Sequence, residues 1–252
     1  MIKRRILRLS GTDTKDFLQG LVTNDIGKLS EGAVYAALLT PQGKYLADFF
    51  LVPDGDAVLL DVADSLGDMV MQRLSMYKLR AKVDIAETDL HVHRGLGDTP
   101  ADGFADPRAA ELGWRAYRDE PQTDDTIDWD ALRVALLIPE TDVELTPDTF
   151  ILEAGFERLN GVDFRKGCYV GQEVTARMKH KTELRKGLAP VLVDGSAEVG
   201  TDLMSDGKPA GTLFTQANGK AIAYLRFDRA KGEMLAGDAR VKWADAPENA
   251  SN

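Results

Sequence analysis

The chain has few of the residues that most often carry self-contained chemistry. It holds one cysteine in 252 residues, Cys168, and three histidines. A single cysteine excludes an internal disulfide and fits a reducing, cytoplasmic setting. It also excludes a four-cysteine zinc or iron–sulfur site within one chain. His91 and His93 share one strand face, but zinc needs a third ligand and no cysteine is near, so no metal is expected. No run of about 18 apolar residues exists, which predicts no transmembrane helix and no membrane partner. The basic start, MIKRRILRLSG, has too short an apolar part for a secretory signal and reads as a first strand. Internal repeats and low-complexity tracts are absent. The net charge of −10 argues against nucleic-acid binding by the whole surface.

What is present is an ordinary globular composition with one local anomaly. Hydrophobic residues make up 44% of the chain, enough for a core, and the length suits one or two domains. Between positions 165 and 186, seven Lys/Arg face two acids. That segment is about +5 and the rest about −15, a pattern that fits a local anionic ligand or a solvated basic face.

Patterning predicts a strand at 2–9, a helix from Thr12 or Asp13 to about 22, and strands at 34–39, 45–52 and 57–62. Pro53-Asp54-Gly55-Asp56 makes a hairpin turn between the last two. Asp64 is placed to cap a helix whose apolar side carries Leu66, Met69, Val70, Leu74 and Tyr77. Alternation at Leu79, Ala81, Val83 and Ile85 predicts a returning strand. This is an α+β unit, not a doubly wound one. Residues 95–130, rich in Gly, Pro and Asp, read as an exposed excursion. Helices are expected at 128–137 and 150–159. After about residue 184, short apolar runs at 188–193, 210–214, 221–225 and 239–243 alternate with Asp-Gly and Asn-Gly turns, as in a small β-barrel. Residues 245–252 read as a frayed tail.

Three residues stand out. Cys168 lies in RKGCYVGQE, where Arg165 and Lys166 can favour a thiolate and the glycines allow close backbone approach. A nucleophile needs a base; His180 is nearest in sequence and nothing local orients it. The alternative is a small buried hydrophobe. Asp48 in LADFFLV and Glu153 in FILEAGF are acids on apolar segments, each facing solvent or held in a site.

The segment KGCYVGQE, continued as VTAR, closely resembles the signature of the YgfZ-type folate-binding proteins. These are relatives of the glycine-cleavage T-protein, an aminomethyltransferase, and of mitochondrial iron–sulfur assembly factors. SGTDTKDFLQGLVTND (10–25), LLTPQGKYLADFFL (38–51), MYKLRAKVDI (76–85), DPRAAELGWR (106–115) and LTPDTFILEAGFERLNGVDF (145–164) fit as well. GKPAGTL (207–213) with GKAIAYLR (219–226) looks like the family's terminal barrel. The resemblance implies a two-lobed, aminomethyltransferase-like folate-binding body over 1–183 and a C-terminal β-barrel over 184–244. It implies tetrahydrofolate, or a one-carbon derivative, as cofactor.

Glu153, in Leu-Glu-Ala-Gly, matches the glutamate that grips the pterin in T-protein relatives. Asp48 matches the second Asp of their reactive strand, although Gln-Gly-Lys replaces the usual Gly-Gly-Ile. With Cys168, Asp48 is a candidate catalytic residue. Lys166, Gly167, Tyr169, Gly171, Gln172, Glu173 and Arg177 are the loop's candidate cofactor contacts. The implied role is a folate-dependent accessory protein for assembly or repair of iron–sulfur clusters, with client or assembly proteins as partners and no direct nucleic acid. The other readings are a folate-dependent aminomethyl or one-carbon transferase, and a non-catalytic folate module that docks on a client or a tRNA-modifying enzyme.

Overall fold

A computed structural model describes residues 2–123, 125–180 and 183–244. The expected tail at 245–252 lies outside the described residues. The chain forms two compact units, one from residues 1–127 with 156–176 and the other from 128–155 with 177–252.

The first unit is built on a five-stranded antiparallel sheet. Its strands are β1 (Arg4–Ser10), β2 (Val34–Leu39), β3 (Tyr45–Asp54), β4 (Ala57–Ala63) and β5 (Asp84–Glu87), in the order β2-β3-β4-β1-β5. The period-2 alternation of strands sorts the side chains. Leu7, Leu38, Phe49, Leu51, Leu60 and Val62 face a core shared with Leu18 of helix α1 (Thr14–Gln19) and with Val70 and Leu74 of helix α2 (Asp64–Lys78). Asp64 opens α2 as its first helical residue and is not its cap. Its carboxylate instead pairs with Lys3 and Arg5.

The opposite sheet face carries Tyr35, Asp48, Phe50 and Asp61, all buried. The segment expected to be an exposed excursion accounts for this burial. Strands β6 (His91–Gly95), β7 (Gly103–Ala105) and β8 (Trp114–Arg118) form a second sheet, ordered β6-β8-β7. From β8, Arg115 Nη2 donates to Asp61 Oδ2 at 2.6 Å and Tyr117 donates to the same oxygen at 3.0 Å. Arg4 Nε donates to Asp61 Oδ1 at 2.6 Å. The Arg115 guanidinium also stacks on Phe50, 3.7 Å from the ring centroid. Burial alone would raise the Asp61 carboxyl, but the Arg4 and Arg115 charges outweigh it and hold it below the usual carboxylate range. Guanidinium packing therefore replaces the apolar alternation that would have signalled these strands.

Two further expectations are corrected. Residues 79–83 are not strand, and Leu79 is 88% exposed in a positive-φ turn. Residues 151–160 form successive turns rather than a helix. Gly155 adopts φ +79°, and the Glu153 carbonyl accepts from Leu188 N–H at 2.7 Å, so it is unavailable to a helical partner.

The second unit contains helix α3 (Trp129–Leu136), capped by the Asp128 side chain on Ala131 N–H. It also contains a closed six-stranded barrel of β9 (Lys186–Asp194), β10 (Thr201–Ser205), β11 (Lys208–Ala217), β12 (Lys220–Arg226), β13 (Met234–Ala236) and β14 (Ala239–Trp243). Strand β13 is only three residues long and β10, Thr-Asp-Leu-Met-Ser, is mostly polar, so neither stood out in the sequence. Inside the barrel Val191, Leu203, Leu213, Leu225 and Val241 are fully buried. A buried polar knot fixes α3 to β11. Glu144 accepts from Arg133 Nη1 at 3.2 Å through one oxygen and from the Thr215 hydroxyl at 2.5 Å through the other. Helix α4 (Gln172–His180) joins the units in sequence. Among the described residues no helix is long and apolar enough to cross a membrane.

Candidate functional site

In the second unit, Glu153 is placed by backbone contact. Leu188 donates to its carbonyl, which brings β9 so close that a Cβ on Gly187 would sit 2.8 Å from that oxygen. Only glycine fits without displacement. The carboxylate is 8% exposed. Its Oε2 accepts from the Tyr224 hydroxyl at 2.6 Å and lies 3.7 Å from Lys186 Nζ. Burial first, then the hydrogen bond to Glu153 and the charge behind it, pushes the Tyr224 phenol well up, so it stays protonated and donates. No hydrogen bond from a described residue reaches Oε1.

Glu153 lines a cleft of about 1310 Å³ together with Arg185, Lys186, Arg226, Phe227 and Trp243. Phe227 and Trp243 stack at 4.9 Å with 17° between their planes. The cleft thus offers a pair of stacked aromatic rings, three cations, two further acids, Glu183 and Asp228, and a held carboxylate with one oxygen to spare. A flat heterocycle carrying paired N–H donors and an anionic tail matches this set of groups. Lys186 belongs to the basic strip read from the sequence, but Tyr224, Gly187, Phe227 and Trp243 were missed by sequence reasoning. Their only signal was position at the ends of apolar barrel strands.

The remaining candidates lie in the first unit and in α4. Asp48 is buried, and both of its oxygens are occupied: Tyr35 donates to Oδ2 at 2.9 Å and Tyr45 to Oδ1 at 2.6 Å. Burial, reinforced by the Asp48 charge, drives the Tyr35 phenol upward, so it too stays a donor. Lys166 turns inward and donates to the carbonyls of Gln19 at 2.8 Å, Val22 at 2.5 Å and Asn24 at 2.9 Å. Burial lowers its pKa to about 8. Its three donors are spent on the backbone and not directed at the thiol. Lys166 Nζ also lies 5.2 Å from the ring centroid of Tyr169, itself buried.

Cys168 is exposed, which removes the reading as a small buried hydrophobe. Gly167 is exposed as well, with open space where a Cβ would stand. Gly171 takes φ +85°, and a Cβ there would lie 2.6 Å from the Thr40 carbonyl. That close approach packs RKGCYVGQE against the turn at 40–44, so two segments 120-odd positions apart in sequence form one surface feature. Gln172 begins α4; Glu173 and Arg177 are exposed on it, one turn apart. The basic strip is therefore divided. Lys166 is internal, Arg177 and Lys179 occupy the end of α4, and Arg185 and Lys186 line the cleft. His93 Nε2 lies 2.7 Å from the Glu120 carbonyl. Among the described residues no group of three His, Cys, Asp or Glu is placed to hold a metal.

The comparisons with known proteins agree with this architecture. A family profile described as the CAF17 C-terminal beta-barrel domain matches residues 185–248. The chain superimposes on the crystal structure of the glycine cleavage system aminomethyltransferase T from Bartonella henselae with a TM-score of 0.74 at 12% identity. The match covers 97% of this chain and 83% of that one, and it shows the fold. In sequence, the chain is 31% identical to the mouse mitochondrial iron–sulfur cluster assembly factor IBA57, over 92% of this chain and 78% of the mouse protein. The human counterpart is 29% identical with the same coverage. Both relatives are named mitochondrial, which overturns the cytoplasmic expectation: a lone cysteine reports a reducing compartment and does not say which one. With an aminomethyltransferase-T fold, a CAF17-type barrel and this level of identity across most of its length, the chain belongs to the IBA57 family of iron–sulfur cluster assembly factors.

Proposed function

We propose that the chain is a tetrahydrofolate-binding accessory protein, of the YgfZ type, for assembly or repair of iron–sulfur clusters in client enzymes. The mouse and human relatives, both named iron–sulfur cluster assembly factors, support the cluster role. The single observation that supports the folate role is Glu153: a buried carboxylate, oriented by Tyr224, with Oε1 open in a cleft that has a stacked aromatic pair and cations. Glu153 would accept two parallel hydrogen bonds from the pterin amino group and ring N–H, and Arg185, Lys186 or Arg226 would meet the glutamate tail. The loop residues Gly167, Tyr169 and Gly171 shape the mount of Cys168, whose exposed thiol is free to act on a partner or ligand. Gln172, Glu173 and Arg177 continue that surface.

The transferase reading is less well supported. Its acid, Asp48, has each oxygen occupied by a phenol, which leaves little capacity to engage a substrate amine. Two experiments test the proposal. Calorimetric titration of tetrahydrofolate should show Glu153→Gln weakening binding by about 10- to 100-fold, the equivalent of one charge-assisted hydrogen bond; equal affinity removes Glu153 from the pterin site. A deletion strain complemented with Cys168→Ala should lose activity of several iron–sulfur enzymes while folate affinity is kept. Full activity there removes the cysteine from the mechanism.

A further inference from the structure

The end of α2 presents an apolar pair where the fold has no use for one. Lys78-Leu79-Arg80-Ala81 is a tight turn closed by Ala81 N–H on the Lys78 carbonyl at 2.7 Å. Leu79 sits at its second position with φ 43° and ψ −102°. That is the type II′ position, which favours glycine because a Cβ crowds the backbone there. A leucine in that position is strained. It receives no packing in return, being 88% exposed. Met76, three residues earlier in the last turn of α2, is 62% exposed. Isolated surface apolar residues are ordinary, but a strained one beside a second exposed one is not explained by the stability of this chain.

The surroundings point to a partner. Residues 73–84 carry Arg73, Lys78, Arg80 and Lys82 against one acid, Asp84, in a chain whose net charge is −10. Lys78 lies 3.8 Å from Asp84; Arg80 and Lys82 are exposed. Two exposed apolar side chains on a cation-rich segment complement an acidic protein surface with an apolar notch, in the way that central anchors and a charged rim make an interface. A membrane would need a broader apolar face than two side chains provide. Nucleic acid would use the cations but has no pocket for leucine, and the nearby aromatic, Tyr77, packs on the core.

We infer that Leu79 and Met76, on a segment that also carries Arg73, Arg80 and Lys82, form a docking knob for an acidic partner protein. The inference rests on the assembly-factor reading only for which pathway that partner serves. The test uses the full-length chain with a diazirine analogue of leucine at position 79, cross-linked in cells. The linked protein is identified, purified and titrated against wild type, Leu79→Gly, Met76→Ala and, as a barrel control, Leu235→Ala.

Leu79→Gly should weaken the Kd about 10- to 100-fold, the loss of one buried leucine. Its Tm should be unchanged or about 2–4 °C higher, because glycine relieves the strain. Affinity should fall as salt rises, and Leu235→Ala should bind as wild type. The proposal is overturned by cross-links only to lipid, nucleic acid or a second copy of the chain. It is also overturned by a Leu79→Gly affinity within twofold of wild type, or by a Tm drop that makes Leu79 structural. An acidic partner outside iron–sulfur chemistry, bound with this sensitivity, would sink the functional reading and keep the knob.

Discussion

Substituting alanine for Gly187 tests how Glu153 is placed without touching any group that meets a ligand. The added Cβ would stand 2.8 Å from the Glu153 carbonyl oxygen, with the Glu153 carbonyl carbon and Cα both at 3.5 Å. These are backbone atoms, so no side chain can swing aside. The strand or the turn must move by several tenths of an ångström. The Leu188 N–H bond to the same oxygen, at 2.7 Å, then lengthens. Overpacking of this kind costs about 1–3 kcal/mol, and a weakened buried hydrogen bond adds about 1 kcal/mol. A loss of about 2–4 kcal/mol corresponds to a Tm lower by about 5–15 °C. Displacement also shifts the carboxylate relative to Tyr224 and Lys186, so tetrahydrofolate affinity should fall along with stability. Scanning calorimetry and folate titration measure the two effects. If Gly187→Ala keeps both Tm and affinity, the close approach of β9 does not position Glu153, and the reasoning fails.

Tyr224→Phe should leave Glu153 in place with its second oxygen undirected, reducing folate affinity about 5- to 10-fold for one lost hydrogen bond; titration of the variant measures it. Asp61→Asn takes the shared carboxylate from half-buried Arg4 and buried Arg115, leaving Arg115, among the described residues, only the Asp106 counter-charge at 3.7 Å, and should cost about 2–4 kcal/mol, read as a shifted denaturant midpoint. The Asp61 carboxyl titrates below its ordinary 3.8 in the fold, held there by Arg4 and Arg115 against the effect of burial. Its stabilisation is therefore fully present above about pH 4 and is lost as pH falls through the folded value, so wild type should lose more stability than Asp61→Asn over that acid range. Gly171→Ala, strained at φ +85° and crowded by Thr40, should destabilise the first unit by about 2–4 kcal/mol in chemical denaturation and lower client-enzyme activity together with it.

The legible parts of the fold were those where burial is apolar and periodic. Strand β2 has the limits its apolar run implied, and the sides of α2 face as its spacing predicted. Strand β6 was read from HVHRG, but β7 and β8 were hidden: the inward groups of β8 include Arg115 and Tyr117, residues that patterning assigns to solvent. Only the buried partner Asp61 makes their burial affordable. Residues 151–160 have helical composition, but a backbone bond from a strand 35 positions later overrides it. At the site, Glu153 and the cysteine loop were visible as motifs. Tyr224, Gly187 and the Phe227–Trp243 stack were not, because their roles arise from barrel closure, which no local pattern records. Lys166 was visible for its charge, and the structure spends that charge on three backbone carbonyls.

Closure of the barrel also limits how a partner can be recognised. A sealed sheet offers no unpaired strand edge. In the first unit, the β2 edge is already taken. Thr23 exchanges bonds with the Ala37 backbone, and the Asn24 amide reaches the Tyr35 carbonyl. The other edge, β5, is four residues long with an acid at each end. Strand addition, the most sequence-tolerant mode of protein recognition, is thus closed on the barrel and on β2 and poorly served at β5. A partner of the barrel or of the five-stranded sheet must therefore read side chains, so its specificity should rest on a few replaceable residues and respond sharply to single substitutions.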